Sequence, residues 1–179
     1  MRHVAHGTIV AITDEAASFA ERLVILEREL VLVLEEHRPT EASVEGIFYA
    51  KDAQAASKLG HARGVALLVC ARAGLPIAEY PPARVKRTVA GGGRAEKHQV
   101  AQMIRVILSL AELPAPDAAD ALALAVTHLS QMPAAQLRAP RAAAQPPARP
   151  ALRRPAPFVA DVAKGPAARR FHGRKVSTV

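Results

Sequence analysis

Three acidic residues have types and positions that could serve metal chemistry. Asp117 and Asp120 are three residues apart at the predicted start of a helix, so both project from one face, where the helix dipole favours their ionised form. Glu45 lies within an apolar predicted strand, where an unpaired carboxylate is costly to bury. Asp in a first helical turn is also an ordinary cap, and Glu45 could pair with a cation, an Arg or water. These residues alone leave the chemistry open.

Phosphodiester cleavage is one reaction that needs such a set. Nucleases that use two metal ions hold them about 3.5 to 4 Å apart, so that one activates water and the other stabilises the leaving oxygen. Carboxylates from separate elements must converge on that pair, and oxygen ligands suit Mg²⁺ or Mn²⁺. Without cations, three crowded acids would repel one another and raise one another's pKa.

Alternating strands and helices are predicted to position these acids. This alternation indicates an α/β domain with at least partly parallel strand pairing. In the second helix, Ala56, Gly60 and Gly64 form a stripe of small residues that could pack on the sheet or form a dimer seam. Strands are expected at 2–12, 42–48 and 76–80, and helices at 14–37 (capped by Thr13), 52–73, 83–89, 95–110 and 116–129.

The amino-acid composition limits which cores, metal sites and cellular locations are possible for this chain. Half of the 179 residues are apolar, only 3% are aromatic and Trp is absent, so the core must be built from Ala, Leu and Val. Cys70 is the only cysteine, which excludes an internal disulfide and a cysteine metal cluster. The chain shows no signal peptide and no run of the roughly 18 to 20 apolar residues that a membrane span needs. We therefore expect a cytoplasmic protein.

The net charge of +8 is unevenly distributed. Residues 133–179 hold ten Lys and Arg, a single acid, Asp161, and eight of the fourteen prolines, without a sustained period. We expect a domain over residues 1–132 and a disordered basic Ala/Pro/Arg-rich tail over 133–179. The tail could be an extension of no specific function or could hold nucleic acid electrostatically.

Five blocks of sequence resemble the RuvC family of Holliday-junction resolvases. They occur in the family's order and cover about residues 2 to 130, which makes the match specific although no single block would be. The blocks are VEGIFYAKD (44–52), SKLGHARGVA (57–66), EYPPARVK (79–86), GGGRAEKHQV (91–100) and DAADALA (117–123).

The resemblance implies an RNase H-like mixed sheet flanked by helices and a homodimeric, Mg²⁺-dependent endonuclease. Such an enzyme nicks two strands of a four-way DNA junction symmetrically, in recombination and repair, beside a branch-migration motor. By the same resemblance, Glu45, Asp117 and Asp120 fall on the family's metal ligands and catalytic acids. Phe48 falls on an aromatic residue that stacks on DNA, whereas Lys86 and Lys97 fall on residues that contact the DNA backbone.

The chain departs from the family at its start. Family members open with a strand carrying Gly-Ile-Asp-Pro-Gly, whose Asp bridges the metals, and a second strand follows; neither is found here. We expect a chain recorded from an internal Met, inactive as written because it lacks the fourth carboxylate. The alternatives are a non-catalytic junction-binding or dimerising remnant, and an RNase H-like domain acting on another nucleic acid.

Overall fold

The computed structural model describes residues 1–11, 17–46 and 53–133, and the backbone of 169–173. Strands and helices alternate along the chain as predicted, with boundaries that differ by a few residues. In order, the elements are β1 (Ala5–Ile9), α1 (Phe19–His37), β2 (Ala42–Glu45), α2 (Ala53–Arg72), β3 (Ile77–Tyr80), α3 (Pro82–Ala90), α4 (Lys97–Ile107), α5 (Pro116–Gln131) and β4 (Arg169–Gly173).

Helix α1 begins later than the sequence predicted. Ser18 caps it, because the Ser18 hydroxyl accepts a hydrogen bond from the Glu21 backbone N–H, while the Glu21 carboxylate accepts one from the Ser18 N–H. This reciprocal pair is a capping box, which satisfies two backbone donors that a helix start leaves open. Thr13, which we predicted as the cap, lies outside the described residues.

The described strands pair as two separate sheets. Strands β2 and β3 are parallel, with Val44 opposite Glu79 and Glu45 opposite Tyr80. Helix α2 connects them, as a parallel pair requires. This confirms the predicted parallel pairing. Strands β1 and β4 are antiparallel and form the second sheet.

The two faces of the β2–β3 sheet pack on different helices. Ala78 and Tyr80 belong to the cluster formed with α3, α4 and α5. Ala42 packs against the cluster formed by α1 and α2. Since side chains alternate between faces along a strand, Ser43 and Glu45 share the face of Tyr80. One face of the sheet therefore looks toward α5 and the other toward α2.

The cores are built from small aliphatic residues, as the composition predicted. Tyr80 is the only aromatic residue in either of these two described clusters, and Ile104 and Val69 are among the largest fully buried side chains. Within the described ranges, no helix is long and apolar enough to cross a membrane.

The strand β4 lies in the segment for which we predicted no ordered structure. Its residues Arg169–Gly173 pair with β1 from Ala5 opposite Gly173 to Ile9 opposite Arg169. An edge strand offers a row of unpaired backbone N–H and C=O groups, and this stretch contains no proline to prevent pairing. The rest of the segment, 134–168 and 174–179, lies outside the described residues, and the division at residue 132 stays a prediction.

The stripe of small residues on α2 does not pack on the sheet. A Cβ added at Gly60 or Gly64 would meet no atom within 4 Å among the described residues. Leu59 and Leu68, on the same helix, are 67% and 48% exposed. Of the two expectations for this stripe, packing on the sheet is therefore wrong.

We predict that Ile104→Ala lowers the free energy of unfolding by about 2 to 5 kcal/mol, because Ile104 is fully buried between helices and its loss leaves a cavity. Urea denaturation followed by circular dichroism measures the change. The matched control is Val106→Ala on the same helix, where Val106 is 71% exposed and the expected change is within about 0.5 kcal/mol. Similar losses for both variants would contradict the placement of α4.

Candidate active site

The N-terminal part of α5 presents two carboxylates to solvent. Pro116 is the first helical residue, and Ala115 occupies the cap position without a side-chain hydrogen bond. Asp117 and Asp120 are exposed, whereas the intervening Ala118 and Ala119 are buried. The two acids therefore lie on the outer side of the helix as predicted, and neither serves as its cap.

Glu45 is the last residue of β2 and is exposed. Glu45 lies in a strand as predicted, but in its last position, so water reaches its carboxylate. Among the described residues its carboxylate forms no ion pair with an Arg or Lys. Its position on the face of Tyr80 directs it toward α5.

Glu45 and Asp120 interact electrostatically across the gap between β2 and α5. Partial burial raises the pKa of Glu45, and the negative charge of Asp120 raises this pKa further, while the positive charge of Lys97 lowers it. A carboxylate whose pKa is raised by a neighbouring carboxylate would be stabilised in its ionised form by a cation. Their oxygen donors suit a hard divalent ion.

Lys97 completes this charged group. It is the first residue of α4, and its Nζ lies 3.8 Å from Oδ2 of Asp120. Both side chains are largely exposed, so this contact contributes little to stability. Lys86 lies on α3, on the other side of the 91–93 loop, and is half-buried.

The structure brings together part of the predicted set. Glu45, Asp120 and Lys97 interact, whereas Asp117 lies one turn before Asp120 with no described contact to either acid. In the described parts of the chain, no three His, Cys, Asp or Glu residues are grouped closely enough to hold a metal ion. Phe48 lies outside the described residues.

Comparison of the sequence with known protein families identifies the relatives of this chain. The family model "Crossover junction endodeoxyribonuclease RuvC" matches residues 1–128. The chain belongs to the RuvC family. RuvC proteins are metal-dependent, DNA-cleaving hydrolases. This agrees with a carboxylate at the end of β2, a second carboxylate on α5 and a lysine at the start of α4.

Individual RuvC proteins show the same relationship. The protein of Sorangium cellulosum is 60% identical over 130 residues, covering 73% of this chain and 72% of the relative. That of Parvibaculum lavamentivorans is 51% identical over 128 residues, covering 72% of each. Thermus thermophilus RuvC in complex with a Holliday junction substrate superposes with a TM-score of 0.61 at 39% identity, over 65% of this chain and 72% of that one. The RNase H-like fold expected from the sequence is thereby confirmed.

Sequence reasoning missed two polar groups near the site of this RuvC chain. Arg63 of α2 donates from Nε to the Glu45 carbonyl oxygen at 3.1 Å and forms an ion pair with Glu79. On the face of the sheet that looks toward α5, His128 lies 2.9 Å from the Tyr80 hydroxyl through Nδ1 and 2.7 Å from the Glu41 carboxylate through Nε2.

The signal for these groups was weak. Each contact joins residues far apart in the chain. The only indication in the sequence was that Arg63 and His128 are polar residues of helices that also carry apolar side chains.

We predict that Glu45→Gln stabilises the metal-free fold at pH 7. The raised pKa of Glu45 means that the folded chain binds this proton more tightly than the unfolded chain. Stability is therefore lost as pH rises above the ordinary value of 4.5, and the difference between the two proteins should vanish below it. Thermal unfolding in EDTA from pH 4 to 8 measures this.

The control for that comparison is Glu112→Gln, which removes one exposed carboxylate outside the site. A Glu45→Gln variant that is less stable than the unmodified chain at pH 7 would contradict the described environment of Glu45.

Proposed function

We propose that this chain is a Mg²⁺-dependent endonuclease that resolves four-way (Holliday) DNA junctions by paired, symmetric nicks in recombination and repair. The observation that carries the proposal is the interaction of Glu45 on β2 with Asp120 on α5, in a chain of the RuvC family. The Thermus thermophilus protein bound to a Holliday junction supports the substrate.

The proposed acidic residues are Glu45, Asp117 and Asp120. They come from two separate elements, and their oxygen donors fit Mg²⁺, with Mn²⁺ as a substitute. Bound cations would supply an activated water and charge neutralisation at the leaving oxygen. The role of the acids is to hold those ions beside the scissile phosphate.

Three residues are proposed to contact DNA, and one of them, Lys97, lies next to Asp120. Lys97, 81% exposed beside Asp120, can meet a phosphate that approaches the acidic pair, and Lys86 flanks the same loop from α3. We assign Phe48, which follows the Glu45 strand in sequence, to stacking on a base near the cut. Positive side chains that surround the acids would offset the repulsion between carboxylates and phosphates.

We further propose a homodimer that uses α2 as its interface, because two symmetric nicks require two active sites. The open space above Gly60 and Gly64 allows a second helix to approach closely, and the exposed Leu59 and Leu68 supply apolar area to bury. A branch-migration motor as partner and a cytoplasmic location rest on family membership alone.

Gly60→Leu should shift the protein from dimer to monomer without loss of stability. The added side chain meets nothing in a single chain, and it removes a glycine that costs a helix about 0.5 to 1 kcal/mol, but it occupies the space that a second helix needs. Size-exclusion chromatography with light scattering measures the mass. Lys58→Leu places a leucine on the opposite side of α2 and should leave the mass unchanged. A dimeric Gly60→Leu protein would exclude this interface.

A second candidate function is junction binding without cleavage. The observation in its favour is that the described acids do not form a group of three that could hold a metal. A protein of this kind would occupy the junction through its lysines and leave both strands intact.

Asp120→Asn separates the two functions. For the nuclease, measured in a chain that carries the family's two opening strands in front of Met1, we expect Mg²⁺-dependent nicking of a synthetic four-way junction to fall on the order of 100-fold or more. The reason is that a charged group that acts in the transition state is lost, while junction affinity in gel shifts stays. Glu112→Gln, outside the site, should retain full nicking. Tight junction binding with no nicking, even by a chain that carries the family's two opening strands in front of Met1, would favour the second candidate.

A further inference from the structure

Two partners from different elements hold the peptide bond that follows Glu45. The Gly46 N–H donates to the Tyr80 carbonyl oxygen of β3 at 2.9 Å. The Glu45 carbonyl oxygen accepts from Nε of Arg63 on α2 at 3.1 Å. With both polar groups bonded, this peptide plane cannot rotate without breaking one contact or the other.

Arg63 reaches the strand from the side opposite the acids. Glu45 and Tyr80 share the face that looks toward α5, whereas Glu79, the ion-pair partner of Arg63, lies on the other face of β3. The guanidinium group therefore does not contact the carboxylates of the site. Any influence on them must pass through the backbone of Glu45.

The shape of the guanidinium group allows both contacts at once. Nε donates to the carbonyl oxygen, while one terminal nitrogen bonds the Glu79 carboxylate, so the planar fork is fixed at two points. Arg63 is also mostly buried, with 23% of its side chain exposed. A lysine lacks this planar fork and would have to meet both oxygens from a single nitrogen.

The end of β2 depends on this contact because little else holds it. The strand has four residues, its only described neighbour is β3, and Glu45 is the last position before the chain leaves the sheet. Strand ends with few bonds open most readily. A movement of the Glu45–Gly46 peptide would turn the carboxylate away from Asp120.

We propose that Arg63 is a positioning residue that fixes the backbone of Glu45 from behind the sheet and so sets the direction of its carboxylate. This inference rests on the proposed metal-dependent function of the same site. It assigns no contact between Arg63 and metal or DNA. It predicts that Arg63 controls cation affinity without controlling junction affinity.

The first test measures how often the Glu45–Gly46 peptide opens, and it needs no metal. In Arg63→Gln, hydrogen exchange of the Gly46 amide, followed by NMR on the full chain, should be at least about tenfold faster than in the unmodified protein, because the strand end opens. The control is Arg72→Gln, on the same helix, where Arg72 pairs with Glu27 at 3.2 Å and does not touch β2. Equal exchange at Gly46 in both variants would overturn the proposal.

The second test measures Mn²⁺ binding by electron paramagnetic resonance. The dissociation constant should rise roughly tenfold or more in Arg63→Gln, as expected when a group that orients a ligand is removed, and should not change in Arg72→Gln. Arg63→Lys should keep the thermal stability of the protein but not its Mn²⁺ affinity. Restored affinity in the lysine variant would show that charge, not the fork, is what matters, and would overturn this mechanism.

The experiments distinguish an error in the proposed metal site from an error in the proposed role of Arg63. If Asp120→Asn leaves Mn²⁺ affinity unchanged, the proposed metal site is wrong. Exchange at Gly46 then still decides whether Arg63 holds the strand end.

Discussion

The parallel register of β2 with β3 determines the geometry of the whole site. With Glu45 opposite Tyr80 and Val44 opposite Glu79, each pair of side chains points to one face of the sheet. A slip of one residue would turn every side chain of β2 to the other face and direct Glu45 toward α2. The apolar residues that select the register therefore also decide that a carboxylate meets α5.

Packing on both faces secures that register. Tyr80 and Ala78 contact the α3–α5 cluster on one side, and Ala42 contacts the α1–α2 cluster on the other. Polar contacts also fix how α5 lies on the sheet. His128 on α5 bonds Glu41, just before β2, and Tyr80, at the end of β3. The helix that carries the aspartates and the strand that carries the glutamate are thus tied together on one face by bonds outside the acidic site.

Local signals in the sequence predicted the helices and strands well. Contacts between residues distant in the chain could not be predicted from it. Periodicity placed the helices and the parallel strands, because a buried face leaves its spacing in the sequence. The helix start at Thr13 was misjudged because Ser18, with Glu21 three residues later, offers the stronger cap. Single spacings left the role of the acids ambiguous, and only the ordered blocks of family sequence suggested metal ligands.

The contacts that the sequence did not reveal join residues with large separations. Arg63 and Glu45 are 18 positions apart, and Glu41 and His128 are 87 apart, so no local pattern marks them. The position of Glu45 at the end of its strand was not predicted either, since the hydrophobic run around it does not show where the strand stops. Pairing of β4 with β1 depends on an open strand edge, which exists only once the sheet has formed.

That pairing has a consequence for the order of folding. Ala5 lies opposite Gly173, so the ladder between β1 and β4 closes a loop that contains nearly all of the chain. Contacts of such large separation form late, because the entropy of closing the loop is lost before the contact is gained. During synthesis, β1 therefore lacks its β4 partner until translation has passed Gly173. Throughout that interval the edge is available to any other extended chain nearby.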